Sequence, residues 1–165
     1  MSALSDWDFA VETDDFRALA PRLPRLVEPL GPLVAQWDPL GKIRCYMLIV
    51  GGPSKVELSF EEEQEESPPW SVTRETLPRL DGHFWDWALW LASKKVRAKD
   101  EVVAQDLRKM HRHLLGPLGV ESPPRSIDDA VDAYLAVRDA AEVRLSVRVP
   151  RILEREVRPA VARGA

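Results

Sequence analysis

Polar and apolar residues alternate strictly at the start of the chain: Asp6 and Asp8 interleave with Trp7, Phe9 and Val11. Strand side chains switch faces with period two, so this run predicts a strand with both acids on one face and the three large apolar side chains turned into the protein. Lys55-Val56-Glu57-Leu58-Ser59-Phe60 repeats the pattern, with Glu57 on the open face of a second strand. Between them, Asp14-Asp15 can cap a helix through Phe16, Leu19, Ala20, Leu23 and Leu26, kept short or irregular by Pro21 and Pro24. Gly31-Pro32 ends it. Leu33 to Trp37 and Ile43 to Val50 then read as two strands of a hairpin turning at Asp38-Pro39-Leu40-Gly41, and Gly51-Gly52-Pro53 turns the chain again. These elements predict a small mixed sheet with one flanking helix.

The period changes further on. A run of glutamates and Gln64 over residues 61–66, followed by Ser67-Pro68-Pro69, breaks the strand pattern and marks a boundary. From Asp81 apolar residues recur at helical spacing: Phe84, Trp87, Ala88 and Leu91 form a stripe that Trp85, Leu89 and Ala92 widen, a face that must be buried. A second helix is expected from Asp100 through Leu107 and Leu114, stopped by Gly116-Pro117. A third begins at a capping-box-like Ser126 and Asp129, and a last one spans residues 151–163 after Pro150. The expected organisation is α+β: a sheet domain over residues 1–66, a linker over 67–79 and a helical domain over 80–165.

Composition narrows the class. Hydrophobic residues make up 45% and charged residues 30% of 165, enough to bury a core. No apolar run approaches the roughly 20 residues that cross a bilayer, and the N-terminus lacks a signal-peptide layout, so a cytoplasmic location and no membrane partner are expected. Cys45 is the only cysteine, which excludes an intrachain disulfide and reads as a packed thiol. A net charge of −4 argues against a dedicated nucleic-acid binder, but it is unevenly spread. Residues 1–80 hold 8 Lys and Arg against 14 Asp and Glu, and residues 81–165 hold 15 against 13, so the helical half can offer cations to phosphates.

Three carboxylates gathered in one patch repel one another and raise each other's pKa unless a cation neutralises them, and magnesium favours such hard oxygen ligands. Asp6, Asp8 and Glu57 are therefore the candidate metal ligands and catalytic residues. Ser5-Asp6-Trp7-Asp8, a following helix and a later strand with a carboxylate resemble the nucleotidyltransferase superfamily that includes DNA polymerase β and the aminoglycoside and lincosamide nucleotidyltransferases. The resemblance covers residues 5–60. It implies a magnesium site at Asp6, Asp8 and Glu57, nucleotide binding at Ser5, Asp6 and Asp8, and transfer of a nucleotide monophosphate from ATP or another NTP to a hydroxyl of a small molecule. Glu57, where the family more often has aspartate, would complete the site or help to deprotonate the acceptor.

The family also carries a Gly-Ser strand just upstream of the paired aspartates that holds the phosphates, and here only Met1-Ser2-Ala3-Leu4 precede Ser5. The expectation is a truncated transferase domain, completed if an in-frame Gly-Ser stretch lies upstream of Met1. Its rival is an inactive, transferase-derived binding protein whose exposed sheet edge is repaired by homodimerisation. Three lesser motifs stand beside these. The acidic run could attract a polycationic acceptor, although such runs are more often solvated. Arg108 and His113 share a spacing seen in helical ribonucleases of the HEPN type, one that chance also produces in so basic a helix. Asp86 and Asp106 are helical carboxylates available as general bases, and His83 reads as a core histidine.

Overall fold

The computed structural model describes residues 6–65 and 70–164, with the Asp6 side chain outside the description. The chain divides into two compact units, Met1–Ser67 and Pro68–Ala165. Ser5, Glu66 and Ser67 to Pro69, which carry one nucleotide-binding expectation, the end of the acidic run and the start of the expected linker, lie outside the described residues.

The first unit is built on four strands: β1 (Asp6–Val11), β2 (Val34–Trp37), β3 (Ile43–Val50) and β4 (Ser54–Glu63), in the order β1-β4-β3-β2. β2, β3 and β4 form an antiparallel meander, and β1 joins its edge parallel to β4. Two short helices, α1 (Phe16–Leu19) and α2 (Leu23–Val27), with a 3-10 turn after each, connect β1 to β2. Asp15 caps α1 by accepting from the Ala18 N–H at 2.9 Å, and prolines at positions 21, 24 and 29 keep the segment in short pieces. Gly31 ends it at φ 59°, a left-handed position that suits glycine.

One face of the sheet packs Tyr46, Leu48 and Phe60 against Leu23 and Val27, with Val11, Phe16, Leu19, Ala35, Trp37, Val56 and Leu58 around them. Trp37 is the aromatic hub, edge-on to Phe16 at 5.6 Å and to Tyr46 at 5.0 Å. Two expectations change here. Trp7 and Phe9 are 52% and 49% exposed rather than turned into the core, because the proline-shortened helices reach β3 and β4 while β1 lies outside them at the sheet edge. The opposite face is not open at β4, where Lys55 is only 6% exposed, and Cys45, Met47 and Ile49 of β3 are buried on it. β4 also runs on through Glu63, so the first three glutamates of the acidic run are strand residues. Gln64 then donates to the carbonyls of Asp38 and Gly41 at 2.9 and 2.7 Å, pinning the β2–β3 turn.

The second unit is helical: α3 (Leu77–Val96), α4 (Asp100–Met110), α5 (Gly116–Leu118), α6 (Ile127–Leu145) and α7 (Ile152–Gly164). α3 starts four residues before Asp81, with Pro78 in its first turn, where a missing N–H costs no helical hydrogen bond. It is buried on nearly every side, as its broad apolar face requires, and packs on α4, α6 and α7. Gly116-Pro117 does not stop the second helix. A π-turn (His111–Leu115) links α4 to α5, and the chain leaves the helix only at Gly119, φ 112°. Gly116 suits this turn: a Cβ there would lie a tight 3.0 Å from the His111 carbonyl oxygen. Ser126 caps α6 by accepting from the Asp129 N–H, as its sequence pattern predicts. Among the described residues no helix is long and apolar enough to cross a membrane.

Candidate functional site

The register of β1 against β4 brings the candidate residues together. Asp6 pairs with Lys55 and Asp8 pairs with Glu57 in a parallel ladder. Paired residues of neighbouring strands point to the same face about 4.8 Å apart, so Asp8 and Glu57 stand side by side. The two strands meet this way because their alternation is in phase: Trp7, Phe9 and Val11 pair with Val56, Leu58 and Phe60 on the helix-covered face. A slip of one residue would place an acid opposite that apolar face.

A residue that the sequence reading overlooked completes the cluster. The Lys55 ammonium lies 2.7 Å from Glu57 Oε1, with the two side chains 7% and 28% exposed. A lysine so buried requires a partner of opposite charge, and Glu57 supplies it two residues along the same strand face. The period-two pattern that singled out Glu57 also placed Lys55 beside it. The next rungs of this face carry Met47, paired with Glu57, and Cys45, paired with Ser59, whose hydroxyl donates to Cys45 Sγ at 3.9 Å. The Cys45 thiol is pushed up to about 12, first by burial and then by the negative charge of Glu57.

Among the described residues no group of three His, Cys, Asp or Glu is placed to hold a metal ion. The described donors of the expected triad are Asp8, exposed at the edge strand, and Glu57, one of whose oxygens is engaged by Lys55. As chemistry this donor set fits magnesium, which takes one or two carboxylates and keeps several waters.

The other candidate residues are dispersed. Glu62 and Glu63 line a concavity of about 490 Å³ with Asp14, Asp15, Arg17 and Arg44, so two arginines temper the acidic run there. Arg108 is exposed on α4, whereas His113 sits in the π-turn, accepts from Arg112 Nε at 3.2 Å, and receives the Trp70 N–H on its carbonyl. His83 is a core residue, 5% exposed, with Trp70 and Trp87 edge-on at 6.0 and 5.7 Å. Trp85 is fully buried, and the Lys94 ammonium lies 4.8 Å from the ring of the half-buried Trp90.

A cluster of buried charges lies in the second unit. Asp81, 2% exposed on α3, accepts from the Tyr134 hydroxyl at 2.5 Å, and burial raises its carboxyl to about 6. Arg138, also 2% exposed, lies 3.9 Å from Asp81, 2.8 Å from Glu154 and 2.9 Å from Asp139. Arg151 joins Asp139 and Glu142 at 3.0 and 2.7 Å, so the network ties α3 to α6 and α7. Tyr134 is stacked on Phe84 at 3.7 Å in the same core. Asp81, Tyr134 and Arg138 are the buried part of this network, whereas Asp139, Glu142 and Arg151 line a concavity of about 860 Å³ at its outer side.

An α+β protein with a mixed sheet ahead of a helical unit is what fold and site together define. No protein-family model matches the sequence, and no curated protein matches it. Among solved structures the chain is similar to an aminoglycoside 6-adenyltransferase from Bacillus subtilis, with a TM-score of 0.35 and 12% identity over 95% of this chain and 88% of that one.

Proposed function

We propose that the chain is a nucleotidyltransferase-like protein that uses magnesium to transfer a nucleotide monophosphate, adenylyl from ATP, to a hydroxyl of a small molecule. The observation that carries this reading is the parallel register that sets Asp8 beside Glu57, within the Ser5-Asp6-Trp7-Asp8 motif that prompted it. Asp6, Asp8 and Glu57 would hold the ion. Bound magnesium supplies charge neutralisation at the phosphate oxygens. Asp8, exposed at the strand edge, is accessible to a ligand. Glu57, held by Lys55, keeps a fixed rotamer and can take the proton of an acceptor hydroxyl.

The test is calorimetric titration of the protein with ATP and magnesium. Binding is expected in the wild type and is expected to weaken at least tenfold when Asp6 and Asp8 both become Asn, because a charge-assisted ligand set is lost. Equal binding in the two proteins refutes the reading.

One observation favours a second reading, a non-enzymatic protein that dimerises through its sheet. Among the described residues β1 pairs with β4 alone, and it carries Trp7 and Phe9 half exposed. Such an edge invites a further strand. A protein that sediments as a dimer and binds no ATP fits this reading instead.

A further inference from the structure

The order of charges along β1 bears on which strand can lie beside it. Its described neighbour is β4, and the strand presents Trp7 and Phe9, 52% and 49% exposed, on one face and the exposed Asp8 and Ala10 on the other. Two such edges close on each other by two-fold symmetry, and an antiparallel pairing continues each face of one sheet into the same face of the next. Directly opposed residues of an antiparallel pair share a face, so acid-face positions must meet acid-face positions and aromatic ones aromatic ones. The allowed registers therefore differ by two residues, and charge separates them. Asp8 opposite its own copy, or Asp6 opposite Asp8, sets like charges across the ladder, which is destabilising. A register with Phe9 opposite its own copy instead puts Asp8 across from Ala10 and Trp7 across from Val11. The two Asp8 residues then lie on a diagonal, about 7–8 Å apart. One further shift leaves only residues 9–11 of each strand paired.

We propose that β1 pairs antiparallel with β1 of a second copy in the register centred on Phe9, joining two four-stranded sheets into one. The inference deepens the second reading above, dimerisation through the sheet, and rests on it. The central contact is Phe9 against Phe9, with Trp7 against Val11 on either side, so the aromatics that α1 and α2 leave bare are covered by the partner's. The paired strip is short, residues 7–11 of each chain, which places the interface at the small end of specific interfaces and makes association depend on concentration.

Cysteine cross-linking reads the register directly, because only opposed positions come within reach of a disulfide. Each variant is first verified as folded by circular dichroism and then oxidised with copper phenanthroline. Phe9→Cys is expected to form a covalent dimer by itself. Trp7→Cys and Val11→Cys are each expected to stay single alone and to link when mixed. Wild type, whose Cys45 is buried, is the blank. In sedimentation, wild type is expected to pass from monomer to dimer as concentration rises, and Phe9→Lys to remain a monomer. Linking of Asp8→Cys to itself as fast as Phe9→Cys, or of Trp7→Cys to itself as fast as to Val11→Cys, overturns the register and leaves the sheet dimer standing. A dimer that Phe9→Lys leaves intact overturns the pairing through β1. Wild type that stays monomeric at every concentration overturns the second reading and this inference with it.

Discussion

Replacing Asp81 by Asn isolates the cost of a buried carboxylate. In the folded protein its pKa is raised from 3.8 to about 6 by burial, which outweighs the opposing pull of the Tyr134 hydrogen bond and the Arg138 charge. A group whose folded pKa lies above its unfolded value binds its proton more tightly in the native state. Its stabilising contribution is therefore fully present below about pH 4 and is lost as pH rises through about 6. The rise corresponds to about 3 kcal/mol between the two protonation states. Asn keeps an oxygen for the Tyr134 hydroxyl and carries no charge, so it imitates the protonated acid at every pH. Asp81→Asn is expected to match the wild type near pH 4 and to exceed it by up to about 3 kcal/mol at pH 8. The assay is urea unfolding followed by tryptophan fluorescence between pH 4 and 8, with Trp85 beside Tyr134 as an internal reporter. The remaining carboxylates are common to both proteins and cancel in the difference. Parallel stability curves for the two proteins across this range would show that Asp81 is not the desolvated group that its burial implies.

Two further outcomes follow from buried groups. Arg138→Met leaves Asp81 and Glu154 without their shared guanidinium and is expected to cost about 3–5 kcal/mol, measured by the same unfolding assay. A loss below about 1 kcal/mol, the range of a surface ion pair, would contradict its burial. With its thiol pushed up to about 12, Cys45 holds almost no thiolate at pH 8, so a disulfide reagent should modify it slowly in the native protein and promptly in urea. Equal rates in the two states would refute that environment.

Much of the fold was legible because its signals are local. Period two marked β1 and β4, a strand-like run between turn signals marked β3, glycine and proline marked the turns, and Ser126 marked the start of α6. The misreadings came from long-range geometry. Nothing in Trp7-Asp8-Phe9 reveals that its strand ends up on the sheet edge beyond the reach of α1 and α2, so an alternating run that predicted burial delivers exposed aromatics. The π-turn brings Gly116 close to the His111 carbonyl, an approach that helix periodicity does not encode. At the site, the strand-face alternation identified Glu57, and the same alternation contained Lys55. What periodicity alone could not give is that this lysine is buried, along with Met47 and Ile49 of the adjacent strand.

The parallel pairing of β1 with β4 also governs when the carboxylates meet. Asp8 and Glu57 belong to strands separated in the chain by two short helices and a complete hairpin, and among the described residues β1 pairs with β4 alone. The antiparallel meander can zip up through tight turns, whereas β1 must wait for a long loop to close around it. The pairing of β1 with β4 thus closes a longer loop than either turn of the meander. Damage to the β2–β3 hairpin would erase the acidic cluster without altering any of its residues.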